Sequence, residues 1–476
     1  MPIQTVFFDM GGTIDTYWHS PEMRLAAIPG LHAFLLSHGI NLHLSDSQLY
    51  KLITSGLARY HQWRMKTLEE ISTYQVWRDY ILVDYPDTFP VLETIAEDLM
   101  IWYETHFYER HMRPEIPSVL QSLQKMGIKI GMISNVSSRS QVPFYLERYG
   151  IKEYFDPVVL SSVYTRRKPD PAIFHHAARL SNSPTSECIF IGDRISRDIV
   201  GARRTGFKLA VQIRHDFDHG ENDDGATPDL VIEDMSEVVE LIRKDQQTSA
   251  NGEGQASSGE SIRAVLFDAD GVLYYRNNKD VELNSFIKQH RRVHHKIPAA
   301  EVNRLRNLAF TGKLTFVQYK TAIFALYGIT EPHLVEQGVQ KAIQEKDNVQ
   351  FFGHILDTLK ALKDRSLYLG IITDTTQPLH KKISKLERGG FGHLWDSIIP
   401  SNEVAVKKPD PRIYQLALMQ LGIKPEQAIF VGHDQNELQG ARNVGLKTVA
   451  FNYDRGALAD FYITDFSELA NLDILS

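Results

Sequence analysis

Short apolar runs alternate with segments of helical periodicity along the chain. In the first half, predominantly apolar runs occur at 5–8, 129–133, 157–160, 188–191 and 209–213, and helical patterns such as 116–126 and 171–180 separate them. Runs of this length predict strands that are buried on both faces. Buried strands that alternate with helices form parallel sheets covered by helices on both sides. The pattern therefore predicts an α/β fold built on a doubly wound parallel sheet.

The same pattern occurs twice. The segment 5–13 (TVFFDMGGT) is similar to 264–272 (AVLFDADGV), and 131–135 (GMISN) is similar to 370–374 (GIITD). Further on, 167–171 (RKPDP) matches 407–411 (KKPDP), and 189–193 (IFIGD) matches 429–433 (IFVGH). Four motifs repeated in the same order predict two tandem copies of one domain.

The spacing of the repeats locates a variable insert. Asp9 and Asp268 are 259 positions apart, whereas Ser134 and Thr373 are 239 apart, so the length difference lies between the first two motifs. The residues there predict helical inserts at about 16–112 and about 275–350. Residues 245–260 lack large apolar side chains and predict a flexible linker. We therefore expect domains at 1–244 and 261–476.

Composition excludes several classes of function. The 476 residues carry 52 Lys and Arg against 59 Asp and Glu, a net charge of −7, which disfavours non-specific binding to nucleic acid. The one cysteine, Cys188, excludes an internal disulfide and a multi-cysteine metal site. No apolar run approaches the roughly 18 residues of a membrane span. Without a secretion signal in the sequence, we expect a cytoplasmic protein.

Carboxylates follow the first strand of each repeat. Asp9 comes directly after the apolar run 5–8, and Asp268 and Asp270 follow the equivalent run in the second half. In parallel sheets, ligands bind outside the carboxyl ends of the strands. A first aspartate there can attack phosphorus, while a second one two residues later protonates the leaving oxygen and activates water.

The later motifs supply the remaining groups that phosphoryl transfer needs. The hydroxyl groups of Ser134 and Thr373 can hold phosphoryl oxygens, and Lys168 and Lys408 can neutralise their charge. Further carboxylates can carry magnesium. Covalent phosphoryl transfer is therefore the chemistry that these residue types favour.

On these motifs, both halves resemble the haloacid dehalogenase-like hydrolase superfamily, in the branch with a helical cap inserted after the first motif. The resemblance implies two Rossmann-like cores, with Asp9 and Asp268 as nucleophiles and Lys168 and Lys408 as charge-neutralising lysines. It implies that Ser134, Asn135, Thr373 and Asp374 contact the substrate. It also implies a magnesium site in each half, formed by Asp9, Gly11 (through its carbonyl), Asp193 and Asp198 in the first and by Asp268, Asp270, Asp434 and Glu437 in the second.

Each half departs from the family pattern at a different place. Gly11 stands at the acid/base position of the first half and has no side chain that could move a proton. In the second half, His433 replaces the first metal-binding aspartate, and Glu437 replaces the second. Magnesium prefers oxygen ligands, so we expect adjacent Asp434 to turn inward if a metal binds there. Asp374 stands where the first half has Asn135 and adds negative charge.

The resemblance implies a magnesium-dependent phosphatase of a small phosphorylated metabolite, acting through an aspartyl-phosphate intermediate. The alternatives are a non-catalytic tandem pseudo-hydrolase that binds a ligand or regulates, a phosphomutase, a phosphonatase and a dehalogenase. A phosphomutase needs an acid/base and is open only to the second half. Dehalogenases of this family carry an aromatic residue where Gly11 and Asp270 stand, which argues against that activity. We expect the first half to bind magnesium more tightly and to have the larger activity; the sequence leaves the oligomeric state open.

Overall fold

A computed structural model describes residues 1–214, 226–252, 261–277 and 279–475. The chain divides into two compact units. The first unit comprises Met1–Ser181 and Ser186–Gln255, and the second comprises Asn182–Thr185 and Ala256–Ser476. The two are described separately below.

The first unit contains a six-stranded parallel sheet in the order β5-β4-β1-β6-β7-β8 and a two-stranded antiparallel ribbon, β2-β3. The strands are β1 (Thr5–Phe8), β2 (Asp15–Trp18), β3 (Glu109–Met112), β4 (Lys129–Ser134), β5 (Val158–Leu160), β6 (Cys188–Gly192), β7 (Leu209–Ile213) and β8 (Leu230–Ile232).

Four helices of the first unit lie between β2 and β3, and the others follow β3. The helices between the ribbon strands are α1 (Pro21–Ser37), α2 (Asp46–Thr67), α3 (Thr73–Val76) and α4 (Phe89–His106). Those that follow are α5 (Ile116–Lys125), α6 (Gln141–Arg148), α7 (Ser161–Tyr164), α8 (Pro171–Leu180), α9 (Val200–Thr205) and α10 (Ser236–Gly252). A π-helical turn, Ile195–Ile199, precedes α9.

The second unit repeats this topology, with the sheet order β13-β12-β9-β14-β15-β16 and a ribbon β10-β11. Its strands are β9 (Ala264–Phe267), β10 (Tyr274–Tyr275), β11 (Gln350–Phe351), β12 (Tyr368–Thr373), β13 (Ser397–Pro400), β14 (Ala428–Gly432), β15 (Lys447–Phe451) and β16 (Phe461–Ile463). Its helices are α11 (Val281–His290), α12 (Ala299–Phe310), α13 (Phe316–Leu326), α14 (Pro332–Asp347), α15 (Ile355–Asp364), α16 (Leu379–Arg388), α17 (Ser401–Val404), α18 (Pro411–Leu421) and α19 (Gln435–Val444).

The central strands are buried along their whole length, as their apolar sequences predict. Every residue of β1, β6, β9 and β14 is buried. Helices pack on both faces, because side chains alternate between the two faces of a strand and both sets here are apolar. The prediction of two tandem doubly wound α/β cores is confirmed.

Each helical insert has a core of its own. In the first unit, apolar side chains of α1, α2, α4 and the π-helical turn Trp77–Ile81 form a cluster that includes Tyr60, Trp77 and Tyr103. The insert joins the sheet domain through the β2-β3 ribbon, in which Asp15 pairs with Met112 and Tyr17 with Arg110. The second insert is attached in the same way, by pairing of Tyr274 with Phe351.

The predicted flexible linker is helical over its first eight residues, because α10 continues to Gly252. Two side chains explain the difference. The Asp245 carboxylate accepts the backbone N–H of Ile3 and an N–H of the Lys208 ammonium, and the Gln246 amide donates to the carbonyl of Met126. These contacts hold the end of α10 against the first unit, although its polar composition is typical of a flexible linker. The rest of the predicted linker, 253–260, lies outside the described residues.

Among the described residues, no helix is both long enough and apolar enough to cross a membrane.

Candidate active sites

The sheet of the first unit brings the predicted residues to one edge. Strands β4, β1 and β6 are neighbours, and Ser134, Asp9 and Asp193 stand at or directly after their carboxyl ends. Since parallel strands end on the same side, residues from three distant segments of sequence meet there. Asp9 and Ser134 are each only 5% exposed.

Lys168 lies at the centre of this group. Its ammonium is 2.9 Å from Asp9 Oδ1 and 2.7 Å from Asp198 Oδ1, and the residue is 1% exposed. The Asn135 side chain holds the lysine in place: its Nδ2 donates to the Lys168 carbonyl over 3.0 Å, and its Oδ1 accepts the Lys168 N–H over 2.9 Å. Asn135, predicted to contact substrate, thus has its amide engaged by the backbone of the neighbouring lysine.

Three carboxylates of the first unit form a set suited to a hard dication. Oxygen atoms of Asp9, Asp193 and Asp198 all lie within 4.8 Å of one another. Burial, together with the charges of Asp198 and Asp9, raises the pKa of Asp193 to about 7. Carboxylates crowded in this way need a counter-cation, and an all-oxygen set is the one that Mg²⁺ prefers. These residues therefore fit magnesium.

Two backbone features position the three carboxylates. Gly12 has a φ of +84°, and a Cβ on it would lie 2.3 Å from Asp193 Oδ2, so only glycine fits. Asp198 stands in the π-helical turn before α9, where its Oδ2 accepts the Arg194 N–H over 3.0 Å. Such turns often occur at functional sites. Here the turn aims a buried carboxylate at Lys168.

Asp9 lies on the wall of a cavity of about 420 Å³ between the sheet edge and the insert. Six arginines line it, against two carboxylates, those of Asp9 and Glu104; the arginines are Arg24, Arg64, Arg110, Arg167, Arg194 and Arg197. An excess of guanidinium groups favours anionic ligands, because guanidinium binds carboxylate and phosphate through paired hydrogen bonds.

Four of these arginines have carboxylate partners, and the pairs of Arg110 and Arg167 are the closest; Arg194 lies 3.8 Å from Asp193. Arg110 donates to both oxygens of buried Asp15, over 2.9 and 3.2 Å. Arg167 is paired with buried Glu70. Arg64 donates to Ser137 Oγ over 3.1 Å and is 3.9 Å from Glu70, so its ion pair is weaker.

Arg24, which comes from the insert, has neutral partners. Its Nε donates to the Phe107 carbonyl over 3.4 Å, and its guanidinium lies 4.7 Å from the centre of the Tyr108 ring. Arg24 and Arg64 both line the cavity from the insert; Arg24 has neutral partners there, and the ion pair of Arg64 with Glu70 is long.

The space beside Gly11 is filled by the insert ribbon. A Cβ on Gly11 would lie 3.2 Å from a Tyr17 ring carbon and 3.4 Å from Arg110 Nη1. The Tyr17 hydroxyl accepts a hydrogen bond from Arg194 over 3.1 Å. The first unit thus carries an aromatic ring and a cation where the family pattern has an acid/base carboxylate.

The second unit repeats the lysine geometry with different partners. The Lys408 ammonium is 2.6 Å from Asp268 Oδ1 and 2.9 Å from Glu437 Oε2. Although burial acts in the opposite direction, Lys408 and His433 hold the pKa of Asp268 well below its usual range. Asp374 Oδ1 accepts the Lys408 N–H over 3.1 Å, as Asn135 accepts that of Lys168.

The structure places His433 where Asp434 was predicted to bind metal. Asp434 is the N-cap of α19, and its carboxylate accepts the N–H groups of Asn436 and Glu437. The candidate ligand set is instead Asp268, His433 and Glu437. His433 Nδ1 lies 3.5 Å from Asp268 Oδ2, and this close carboxylate raises the pKa of the imidazole. A mixed set with an imidazole that favours its charged form does not fit Mg²⁺.

Asp270 and Thr373 of the second unit each have a side-chain oxygen that makes no hydrogen bond among the described residues. Asp270 lies 3.7 Å from Arg276 and is not part of that ligand set, so its place as acid/base stays a prediction. Within the described residues, Asp270 Oδ1 and Thr373 Oγ1 are buried and have no hydrogen-bond partner.

Sequence reasoning missed the cations around both sites. In the first unit these are the cavity arginines, and in the second they are Lys320, Lys346, Lys382 and Lys385. One signal was available: Lys382 and Lys385 are three residues apart, next to the apolar positions Ile383 and Leu386 of a strongly amphipathic helix.

Comparison with known proteins identifies the family of each half. A family described as "Haloacid dehalogenase-like hydrolase" matches residues 265–451, and a second family with the same description matches residues 3–206. The chain belongs to the haloacid dehalogenase-like hydrolases. It contains two tandem copies of the hydrolase fold, and the expectation of an enzyme of this class is confirmed.

Curated relatives of these hydrolases align with about half of the chain. Glyceraldehyde 3-phosphate phosphatase of Methanopyrus kandleri is 26% identical over 246 residues, which are 51% of this chain and 98% of the relative. Pyrophosphatase PpaX of Bacillus pumilus is 30% identical over 193 residues, which are 40% of this chain and 82% of the relative. A solved structure of a HAD phosphatase from Thermococcus onnurineus is 24% identical, with a TM-score of 0.31, and covers 44% of this chain and 97% of its own.

Proposed function

We propose that the first unit is a magnesium-dependent phosphatase that acts on a small phosphorylated metabolite through an aspartyl-phosphate intermediate. The observation that carries the proposal is the set of Asp9, Asp193, Asp198 and Lys168 on the wall of an arginine-lined cavity. Relatives named as phosphatases of phosphorylated small molecules support the same reaction class.

The residues present support each step of the reaction. A carboxylate oxygen of Asp9 forms a bond to phosphorus while the bond from phosphorus to the ester oxygen breaks. Lys168 neutralises charge on the phosphoryl oxygens, and the Ser134 hydroxyl donates to one of them. A bound magnesium ion would supply further charge neutralisation beside the three carboxylates. Water then attacks the aspartyl phosphate, which releases phosphate and restores Asp9.

Gly11 limits which esters react quickly. With no carboxylic acid at this position, the leaving oxygen takes its proton from water. A missing general acid costs about 10²–10⁴-fold when the leaving group is a poor one. We therefore propose that the first unit is most active on esters whose leaving group needs little protonation.

The cavity arginines support a substrate with a second anionic group. The phosphate to be transferred is bound at Asp9 and Lys168, whereas Arg24 and Arg64 reach the cavity from the insert. A carboxylate or a second phosphate on the leaving group would pair with them. This arrangement also favours a cap role for the insert, since closing it brings two cations onto the substrate.

Hydrolysis of an aryl phosphate and of a carboxylate-bearing phosphate ester, with and without magnesium, tests the proposal. The full-length chain is compared with the Asp9→Asn and Asp268→Asn variants. We expect Asp9→Asn to remove at least 99% of the magnesium-dependent turnover. If Asp268→Asn removes turnover and Asp9→Asn does not, catalysis belongs to the second unit.

A different function is favoured for the second unit, that of a ligand-binding pseudo-hydrolase. The specific observation is His433, which takes the place of a metal-binding aspartate and contacts Asp268. If neither aspartate variant changes turnover across a phosphate panel, or the wild type has none, the non-catalytic interpretation applies to both units.

We further propose that the two units, whose boundary was predicted within 245–260, fold independently. Glu253 and Glu260 flank a segment without large apolar residues, and a glutamate-specific protease should cut there first. Two stable fragments are expected on a gel. Earlier cleavage inside either unit would contradict the proposed boundary.

A further inference from the structure

Four lysines of the second unit form a group that the proposed reaction does not use. Lys320 is on α13 and Lys346 on α14, both in the insert, whereas Lys382 and Lys385 are on α16 of the sheet domain. We call these four residues the lysine cluster. Lys320, Lys382 and Lys385 are 7%, 6% and 3% exposed, which is rare for lysine.

Most of the ammonium groups in the lysine cluster have neutral partners. Lys346 donates to Thr376 Oγ1 over 3.0 Å, Lys382 to the Tyr274 hydroxyl over 2.7 Å, and Lys385 to Gln377 Oε1 over 2.6 Å. Lys320 lies against aromatic rings, with its ammonium 5.3 Å from the centre of the Tyr319 ring and 5.8 Å from that of Phe316. The Lys346 ammonium is 5.5 Å from the centre of the same Phe316 ring, so both insert lysines lie beside this aromatic side chain.

Protein carboxylates near the lysine cluster mostly do not pair directly with its lysines. The acidic groups around the cluster are those of Asp268, Asp270, Asp280, Glu345 and Asp347. In the part of the chain that the structure describes, one of them pairs with a cluster lysine: Asp347 Oδ1 is 3.6 Å from the Lys385 ammonium. Asp270 and Asp280 are nearer to Arg276, a fifth cation beside the cluster.

The electrostatic cost of this arrangement is reflected in the lowered pKa values of two cluster lysines. Burial, and then repulsion from the other cluster lysines, lowers the pKa of Lys346 to about 7; the pKa of Lys385 falls to about 7 by burial and the charge of Lys382. Buried charges are costly unless they are paired. A bound anion would remove this cost.

The lysine cluster lies beside the phosphate position of the second unit. Lys346 contacts Thr376, three residues after Thr373, whose buried Oγ1 has no hydrogen-bond partner among the described residues. A lysine ammonium has three N–H donors, and Lys346, Lys382 and Lys385 each use one on a neutral oxygen. Lys385 also faces Asp347, so five donors remain for the oxygens of a ligand that spans the insert and the sheet domain.

We propose that the lysine cluster of the second unit binds a polyanion with two linked phosphate groups, and that it does so without magnesium. One phosphate lies at Thr373 and Lys408, and the other contacts Lys346, Lys382 and Lys385. A single phosphate or carboxylate would engage only part of this set. Because the lysines come from both the insert and the sheet domain, the ligand also holds the insert closed.

Calorimetric titration of the full-length chain with inorganic pyrophosphate, in a chelator that removes divalent metals, tests the proposal. We expect Lys346→Met and Lys385→Met each to weaken binding at least tenfold. The matched control is Lys381→Met, which removes the same charge from α16 at a residue outside the cluster, and it should weaken binding less than twofold. Equal losses in all three variants, or no binding by the wild type, would overturn the proposal.

The first unit could bind the same probe through its arginines, so a second control separates the two sites. Arg64→Gln should leave the lysine-dependent binding in place. If Arg64→Gln removes all binding and the lysine variants remove none, the polyanion site belongs to the first unit and the proposal is overturned. None of these outcomes depends on hydrolysis, so the proposed phosphatase activity can fail while this inference stands.

Two measurements separate lost binding from lost folding. Each Lys→Met change leaves a buried oxygen without its donor and can lower the melting temperature by itself, so the quantity compared is the melting shift caused by pyrophosphate, which these variants should lose. Hydrogen exchange of the wild type should show that pyrophosphate protects α13, α14 and α16. Absence of that protection would overturn the proposal whatever the variants do.

Discussion

The two units hold a buried lysine in the same way and surround it with different charges. Lys168 and Lys408 each join a strand-end aspartate to a second carboxylate, within 2.9 Å in every case. Around Lys168 a third carboxylate, Asp193, completes an oxygen set, whereas around Lys408 that place is taken by His433. The two units therefore hold the strand-end aspartate and the lysine in the same arrangement, whereas the charge of the third group beside them differs.

The contrast extends to the contacts between insert and sheet domain. In the first unit, Glu104 of the insert accepts hydrogen bonds from Ser137 N–H and Ser138 Oγ in the loop after β4. In the second unit, Lys346 of the insert donates to Thr376 in the equivalent loop. An acid in one unit and a base in the other make the same tertiary contact, so the two units differ in the charge of this contact and not in its position.

The largest expected effect comes from exchanging the residues that distinguish the metal sets. Asp193→His should lower kcat/KM roughly 10³-fold, about 4 kcal/mol, because an imidazole replaces a hard oxygen ligand. The reciprocal His433→Asp should give the second unit a melting temperature that rises with magnesium. Steady-state kinetics and calorimetry measure the two effects.

Asp434 provides the control for this exchange. Asp434→Ala removes the cap of α19 and should cost about 1 kcal/mol of stability without changing the response to magnesium. A magnesium response that depends on Asp434 would mean that this residue leaves the cap to bind metal, and the two units would be more alike than they appear in the structure.

A smaller effect is expected from restoring the acid/base of the first unit. Gly11 is not among the positive-φ glycines, and its nearest neighbours are side-chain atoms of Tyr17 and Arg110 that can move. Gly11→Asp should raise turnover of an alkyl phosphate roughly 10–100-fold, within the range for general acid catalysis, and change that of an aryl phosphate little. Gly11→Asn, which cannot transfer the proton, is the control; an equal gain from it would contradict a role for acid catalysis.

A further effect is a pH dependence of stability above pH 7 in the second unit. Between pH 7 and about 10, Lys346 and Lys385 are largely deprotonated in the folded state and protonated in the unfolded state. The unfolded chain then binds more protons, so the free energy of unfolding rises with pH, on the order of 1 kcal/mol per pH unit for each lysine. This contribution is lost as the pH falls through 7.

Denaturant melts from pH 7.5 to 9.5 measure this slope. Lys385→Met should flatten it, whereas Lys381→Met, on the same helix, should not. A slope that is the same in the wild type and both variants would place the titrating groups elsewhere.

The fold and the centre of each site were predictable, and the walls of the pockets were not. The apolar runs predicted the strands, and a parallel sheet brings their ends together, so Asp9, Ser134 and Lys168 could be assigned from their motifs. Whether His433 or Asp434 is the candidate metal ligand depends on which side chain caps α19. The spacing of residues in the sequence does not decide this. The cavity arginines come from segments as far apart as Arg24 and Arg197, so no local pattern connects them.

Each insert is attached through a ribbon of two short antiparallel strands, β2-β3 and β10-β11. Paired strands lie about 5 Å apart, so both ends of an insert leave the sheet domain at nearly one point. The length of an insert therefore places little strain on the sheet, which explains how inserts of 90 and 74 residues occupy the same position. The ribbon is therefore a point at which inserts can be exchanged. Transplanting residues 19–108 onto β10 and β11 in place of residues 276–349 should produce a folded chimera whose ligand preference follows the transplanted segment.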